Sequence, residues 1–464
     1  MNKKKYSNII KSLSKSEYSF NQEKIKKHCI DWREEFEGTS ELILFPKTVK
    51  KIASVVKICN KEKIAIVPQG GNTGLVGGSV PRKNKNEIII NLSNLNHIRE
   101  VDSVGYTITL ESGCILEDIK NKLHENNLEF PLSMGSKGNC QIGGNISTNA
   151  GGVNVIKYGT FRHNILGLEA VLPDGSIFNS LRKVKKNNTG IDIKQLLIGS
   201  EGILGIITAA TVKVYPLPKE KVVLWASFGS FSNVIEFYKH IITRFCGLIT
   251  GFEFMNKESI EVLEQNEMKL ENLKKNECYC LVEISNFNNF KKFSNFITSN
   301  IDLESIKTDD LIVSKSESEN KTFWKYRESI PLAEKKEDFI IPHDISIPLR
   351  NIDCFVKKTS GNLKKVLDDI KIINFGHLGD NNLHFNILVN KNKKFGKKEI
   401  IRTVNKIVYQ EVNYFGGSIS AEHGIGQLRR KELKNFKKFD EMKKMQKIKK
   451  IFDPNNIFNP GKVI

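Results

Sequence analysis

The stretch "VPQGGNTGLVGGSVP", residues 67–81, packs five glycines between Pro68 and Pro81, directly after the apolar run Ile64-Ala65-Ile66-Val67. That run reads as a buried strand, so the question is what needs so much bare backbone at its end. A dinucleotide fingerprint requires G-x-G-x-x-G opening a helix. Here the glycines stand at 70, 71, 74, 77 and 78, and Pro81 opposes a helix start. No G-x-x-x-x-G-K-[ST] pattern occurs in the chain, which excludes a P-loop. Two readings stay open: a glycine-rich structural turn, or a nest of N–H groups wrapped round an anion with Asn72, Thr73 and Ser79 as added donors.

Two further clusters weigh on that choice. "SMGSKGNCQIGGNISTNAGG" (133–152) and "IGSEGILGIIT" (198–208) also mix glycine with Ser, Thr and Asn between apolar stretches. One extended cofactor with a central pyrophosphate accounts for three glycine-lined contacts. Three coincidental turns do not account for their close apolar flanks.

The 464 residues are too many for one core, so two or three domains are expected. Residues 1–40 read as a polar, helical segment. Residues 41–217 alternate strands and helices and end at the proline-marked linker "VKVYPLP". From 218 to 464 the texture changes to long amphipathic helices and alternating strands such as "CYCLVEIS". A helix over 399–415 is stopped by Gly416-Gly417. No apolar run has the roughly 18 residues of a membrane span, and "MNKKKYSNIIKSLSKSEYSF" lacks a secretory core, so a cytoplasmic location is expected. The eight scattered cysteines read as reduced structural thiols and cannot hold an iron–sulfur cluster. The net charge of +20 raises nucleic-acid binding, but only 11 of the 72 basic residues are Arg and the lysines are spread throughout. That pattern describes a solvated surface with some attraction for small anions, and no nucleic-acid partner is expected.

"NFGHLGDNNLHFNI" (374–387) reads as a hairpin with the turn Gly379-Asp380-Asn381-Asn382. That register pairs Leu378 with Leu383 and His377 with His384, and puts Asn386 on the same face. Two imidazoles held so close are poor neighbours when protonated and good ligands for one metal. Another histidine, His423, follows Glu422 in "SAEHGIG"; two His and a carboxylate form an open zinc ligand set.

In chain order, "PQGGNTGLVGGSVP", "GNCQIGGNISTNAGGVNVIKYG", "GSEGILGIIT", "GHLGDNNLHFNI", "SAEHGIG" and "DPNNIFNPGK" resemble the FAD-linked oxidase family. This family includes D-lactate dehydrogenases, the flavin subunit of glycolate oxidase and D-2-hydroxyglutarate dehydrogenases, and the likeness runs from about Leu42 to Lys462. It implies an α+β fold: a two-part, PCMH-type FAD-binding domain over 41–217, then a substrate and metal domain over 218–464 with an antiparallel sheet and helices. Residues 452–464 would return to the flavin.

Carried over by position, Gln69, Gly70, Gly71, Asn72, Thr73 and Gly74 would meet the pyrophosphate. Ser133, Gly135, Gly143, Gly144, Asn145, Thr148, Asn149 and Gly152 would line the pyrophosphate, ribityl and flavin region. Glu201, Gly202 and Ile207 would hold the adenosine end, and Asn459 would return to the isoalloxazine. The resemblance makes His377, His384 and Glu422 ligands of a divalent metal, zinc foremost, and His423 the proton acceptor. Arg327, in "FWKYRESI", would bind a substrate carboxylate, with Asn386 and His423 also at the substrate.

The expected activity is FAD-dependent oxidation of a D-2-hydroxy acid to the 2-oxo acid. Electrons would leave to a separate electron-transfer flavoprotein or quinone-linked carrier, and a homodimer is compatible with the sequence. The alternatives are an oxygen-using oxidase, a D-2-hydroxyglutarate dehydrogenase and, more distantly, a non-redox FAD transferase. In the family, the stretch matching "IIPHDISIP" often carries a lysine for a distal carboxylate. Here that position is Pro342, followed by His343 and Asp344, which points to substrates with one carboxylate.

Overall fold

The computed structural model describes residues 3–464 except 269, 271–272, 289, 291, 303–305, 338, 368 and 391–395. The chain divides into two compact units. Unit one comprises the described residues up to Gly151, Gly159–Pro216 and Glu422–Ile464; unit two comprises Gly152–Tyr158 and Leu217–Ala421.

Unit one contains two larger sheets and a two-stranded one that pairs Leu128–Glu129 with Tyr215–Pro216. The first has the order Tyr18–Ser19, Ile43–Leu44, Glu87–Asn91, Ala65–Gln69. Its last three strands are parallel, and Glu87–Asn91 is buried along its whole length, as a parallel strand covered on both faces must be. The helix Val49–Glu62 covers this sheet with Ile52, Val55, Val56 and Cys59, spaced three and four apart. Thr48 caps its start by accepting from Lys51 N, and left-handed Lys63 ends it. The second sheet is antiparallel, ordered Ile98–Asp102, Thr107–Glu111, Ile206–Lys213, Ile165–Val171, Ile177–Ser180. The helices Leu116–His124 and Ile142–Thr148 share its core.

The first forty residues do not stand apart as a segment of their own. Tyr6 and Ile9 enter the core of the first sheet, and the buried Glu17 carboxylate ties the segment down. Glu17 accepts from Ser14 N at 2.9 Å, Ser14 Oγ at 2.8 Å, Lys47 N at 2.8 Å and Lys51 Nζ at 2.5 Å. The return to unit one also begins well before residue 452, at Glu422. Met442, Met445, Ile448 and Phe452 of the helix Phe439–Phe452 pack into the second-sheet core, while Ile457 and Phe458 pack into the first.

Unit two is built on one antiparallel sheet. Its order is Asp310–Val313, Glu220–Phe228, Cys278–Asn286, Ile249–Asn256, Ile370–His377, Asn382–Val389, Ile340–Ile341, with Asp344–Ser346 also pairing Asn382–Val389. "CYCLVEIS" does form a strand, but all nine residues of Cys278–Asn286 are buried. Helices cover both faces here. Tyr279 and Leu281 meet the side of Glu317–Glu334, and the even-numbered face lies with Phe252 against Phe237 of the helix Phe231–Arg244. The helix expected at 399–415 spans Lys397–Tyr414 and is closed by left-handed Gly416.

Candidate functional site

In unit one the glycine loop leaves the strand Ala65–Gln69 and runs against residues 139–144. A Cβ on Gly71 would stand 1.9 Å from Asn139 O, and one on Gly143 would stand 2.7 Å from Ser112 Cβ, so both glycines permit close backbone packing. Gly74, Gly135 and Gly144 differ: a Cβ at each would meet no protein atom within 4 Å. Around them, Gln141 Oε1, Asn145 Oδ1 and Ser112 Oγ are buried without a protein hydrogen-bond partner. Open glycine edges beside buried acceptors suit a ligand rich in O–H and N–H donors, as a ribityl chain and isoalloxazine are. The residues present fit FAD.

Other residues named for the cofactor turn out to shape this wall. Gln69 is buried; its amide donates to His28 O at 2.8 Å and Ser79 O at 3.0 Å, and its carbonyl lies 2.6 Å from His28 Nδ1. Asn72, left-handed at φ 54°, donates to Ile30 O and accepts from Ser79 Oγ. Thr73 and Ser133 are half-buried. Thr148 Oγ1 donates to Gly144 O at 3.1 Å, and Asn149 caps the helix Ile142–Thr148 while accepting from Arg162 N. Ile207 sits in the core of the second sheet, and Gly152 opens the short piece of chain that belongs to unit two.

The third cluster is stitched to the second through Glu201 N, which donates to Ser147 O at 2.7 Å. The Glu201 carboxylate accepts from Ile425 N at 2.7 Å and Gly426 N at 2.8 Å, so its side chain anchors the returning chain; burial pushes its pKa up. Asn459 is engaged likewise, donating to Gly78 O and Glu201 O and accepting from Lys462 Nζ. Burial brings Lys462 down to about 7. Gln427 also holds the glycine loop, donating to Gly77 O and Val80 O. Glu422 and His423 enter unit one together, with Glu422 Oε1 3.6 Å from His423 Nε2 and the Glu422 side chain against Gly151.

In unit two the hairpin register differs from the expected one. Phe375, not His377, pairs with His384, and the connection is longer, with a 3-10 turn at Leu378–Asp380 and left-handed Asn381. Buried Leu378 turns inward instead of pairing with Leu383. Because the shift is two residues, His377 stays on the face of His384 as a diagonal neighbour, and the rings lie 5.7 Å apart.

A carboxylate that the sequence reading did not single out organises this face. Glu253, on the strand Ile249–Asn256, stands opposite His377 in the adjacent strand. Its Oε1 lies 2.6 Å from His377 Nδ1, and its Oε2 accepts from Arg327 Nε at 2.8 Å and is ion-paired with Nη2, also at 2.8 Å. Burial would raise its pKa, but the His377 and Arg327 charges outweigh that and hold it below the ordinary range. Arg327, on the helix Glu317–Glu334, also lies over the Phe375 ring at 4.7 Å. Asp344, named in the sequence only as the residue after His343, also faces this hairpin: its Oδ1 is 4.0 Å from His384 Nδ1 and accepts from Asn382. Strand alternation placed Glu253 on a buried face, a signal available in "TGFEFMN" because a carboxylate between phenylalanines needs a partner.

Asn386 belongs to the scaffold: it donates to both oxygens of Glu334 and accepts from His343 N. His343 is buried, with Nδ1 3.1 Å from Phe385 O and Nε2 2.9 Å from Asn405 Oδ1.

Residues 217–463 match the family "FAD linked oxidases, C-terminal domain", and residues 40–180 match "FAD binding domain". Among curated relatives, a mitochondrial protein of Schizosaccharomyces pombe provisionally named a D-lactate dehydrogenase is 37% identical, covering 94% of this chain and 84% of its own. The mitochondrial D-2-hydroxyglutarate dehydrogenase of Danio rerio is 35% identical over 95% of this chain and 81% of its own. The D-2-hydroxyglutarate–pyruvate transhydrogenase of Saccharomyces cerevisiae is 34% identical over 96% and 89%. Two of these names carry a mitochondrial location, whereas the sequence alone suggested a cytoplasmic one. No helix among the described residues is long and apolar enough to cross a membrane.

The fold is shared with p-cresol methylhydroxylase (TM-score 0.76, 15% identity, 99% of this chain and 96% of that one). It is also shared with alkyldihydroxyacetonephosphate synthase (0.74, 17%, 99% and 85%). These likenesses make it a PCMH-type α+β fold. With both family matches in place, the chain belongs to the FAD-linked oxidases and is an FAD-dependent oxidoreductase.

Proposed function

We propose that this chain oxidises a D-2-hydroxy acid to the 2-oxo acid and hands the electrons to a separate electron-transfer flavoprotein or quinone-linked carrier. The observation that carries the reading is the buried array Arg327–Glu253–His377 with His384 beside it. A guanidinium suited to a carboxylate is fixed next to two imidazoles suited to a metal. His377 gives Nδ1 to Glu253, which assigns Nε2 to a metal. His377, His384 and Glu422 are the proposed ligands, and the two-imidazole, one-carboxylate set suits zinc.

Bound FAD supplies the acceptor for the hydride from C2, and a bound metal supplies positive charge that favours ionisation of the hydroxyl. Arg327 donates its Nε–H to Glu253, and its remaining donors orient the substrate carboxylate. His423 accepts the hydroxyl proton and releases it to water. Two electrons and one proton leave C2 as hydride, the hydroxyl proton leaves through His423, and a C=O bond forms.

The preferred substrates are monocarboxylates such as D-lactate. Pro342 brings neither charge nor side-chain donor, and the His343 ring is already engaged with Phe385 and Asn405. A distal carboxylate left unpaired there costs about 1–3 kcal/mol. The test is anaerobic mixing of the purified protein with D-lactate, D-2-hydroxybutyrate and D-2-hydroxyglutarate, read as flavin bleaching, then specificity constants with a dye acceptor. D-lactate or D-2-hydroxybutyrate should exceed D-2-hydroxyglutarate by about tenfold. A tenfold preference for hydroxyglutarate overturns the substrate assignment, and absence of bleaching with every D-2-hydroxy acid overturns the activity. Reoxidation by oxygen at the turnover rate would make the protein an oxidase.

A further inference from the structure

We infer that Glu253 is a positioning residue that locks Arg327 and His377 into one rigid unit, so that metal affinity and grip on the substrate carboxylate are set together. The inference rests on the functional reading above and goes further, because it assigns a role to a residue that touches neither metal nor substrate. The two carboxylate oxygens divide the work: Oε1 meets His377 Nδ1 at 2.6 Å, while Oε2 meets two nitrogens of Arg327 at 2.8 Å. The side chain is completely buried, and its backbone is paired with that of His377 across adjacent strands. Its two partners therefore approach from different elements, one from the neighbouring strand and one from the helix Glu317–Glu334. A carboxylate so far from water holds both partners firmly, since neither it nor they can exchange for solvent.

Two consequences follow for chemistry. Acceptance at Nδ1 fixes the His377 tautomer with its lone pair on Nε2, the nitrogen a metal needs. Acceptance from Nε, with Nη2 ion-paired to the same oxygen, fixes the plane of the guanidinium, and with it the direction of the remaining donors. An amide at 253 has one acceptor oxygen for two sets of donors. Glu253→Gln must either turn NH2 toward His377, which favours the wrong tautomer, or turn it toward Arg327, which meets donor with donor.

Glu283 provides an internal control in the same sheet. It is also a buried carboxylate, bonded to Thr250, Trp324 and Lys221, with no hydrogen bond to Arg327 or His377 in its set. A purely structural need for a buried carboxylate predicts the same behaviour from Glu253→Gln and Glu283→Gln. A positioning role predicts different behaviour.

The experiment uses FAD-loaded wild type, Glu253→Gln, Glu253→Asp and Glu283→Gln. Zinc affinity is measured without substrate against a chelating indicator, and KM and kcat are measured for D-lactate with a dye acceptor. Thermal unfolding and flavin content are recorded for each. Glu253→Gln should lose about 10–100-fold in zinc affinity or raise KM by about tenfold or more, while Glu283→Gln changes stability alone. If Glu253→Gln does not fold, Glu253→Asp decides. It keeps the charge but is one methylene short of reaching both partners, so one of the two constants should move by about tenfold. Zinc affinity and KM within twofold of wild type in the folded variant overturn the inference and leave the functional reading standing. A wild-type protein that binds no zinc overturns that reading and the inference with it.

Discussion

Glu17 shows how far a single buried side chain departs from what its neighbours in sequence announce. Four donors converge on it, and although burial alone would raise its pKa, they bring it down to about 2. A folded-state value below the unfolded one means that the contribution is present above about pH 4.5 and is lost as pH falls toward 2. Glu17→Gln should therefore cost about 1–3 kcal/mol at pH 7. The deficit relative to wild type should shrink between pH 4.5 and pH 2, which urea unfolding across that range would measure. A deficit independent of pH would mean that shape, not charge, matters at 17. At this scale, residue type was legible and partnership was not. Gln69, Asn72 and Asn459 stood out in sequence as cofactor contacts, and in the structure their side chains brace backbone. The deciding partners, His28, Ile30 and Glu201, lie 41, 42 and 258 residues away.

At the scale of elements, the glycines separate into two kinds that a sequence cannot distinguish. Gly71 is required by the protein itself, because any side chain meets Asn139 O. Gly144, on the helix Ile142–Thr148, faces open space. Gly71→Val should thus fail to fold properly with or without cofactor. Gly144→Val should fold, with an apoprotein melting temperature near that of wild type, but bind FAD at least tenfold more weakly, as flavin titration of both would record. Full flavin content in Gly144→Val would remove this helix from the cofactor wall. The histidine hairpin teaches a related point. Period-two alternation correctly put His377 and His384 on one face, because a shift of two residues preserves the face. The loop length was not legible, because burial of Leu378 overrode the turn signal in Gly379-Asp380-Asn381-Asn382.

At the scale of the whole molecule, the ordered motifs disclosed the family and fold class, while the division into units was hidden. Unit one takes its residues from three separated pieces of chain, and no local composition marks Gly151, Gly159 or Glu422 as crossings. The net charge is +20, with the lysines spread along the sequence. It should favour capture of anionic hydroxy acids over a distance set by screening, about 30 Å at 0.01 M salt and about 3 Å at 1 M. The specificity constant for D-lactate should fall at least twofold across that range with kcat unchanged. An unaltered specificity constant would mean that the lysines are arranged without effect on substrate approach.

The strand Ala65–Gln69 is bridged by Phe458, made far later, and the loop after it is held by Gln427 and Asn459. The order of translation then sets the order of assembly. A ribosome carrying this chain releases the whole of unit two before the segment that latches the glycine loop has emerged. Latching of the glycine loop therefore waits for a segment of chain that is made after all of unit two.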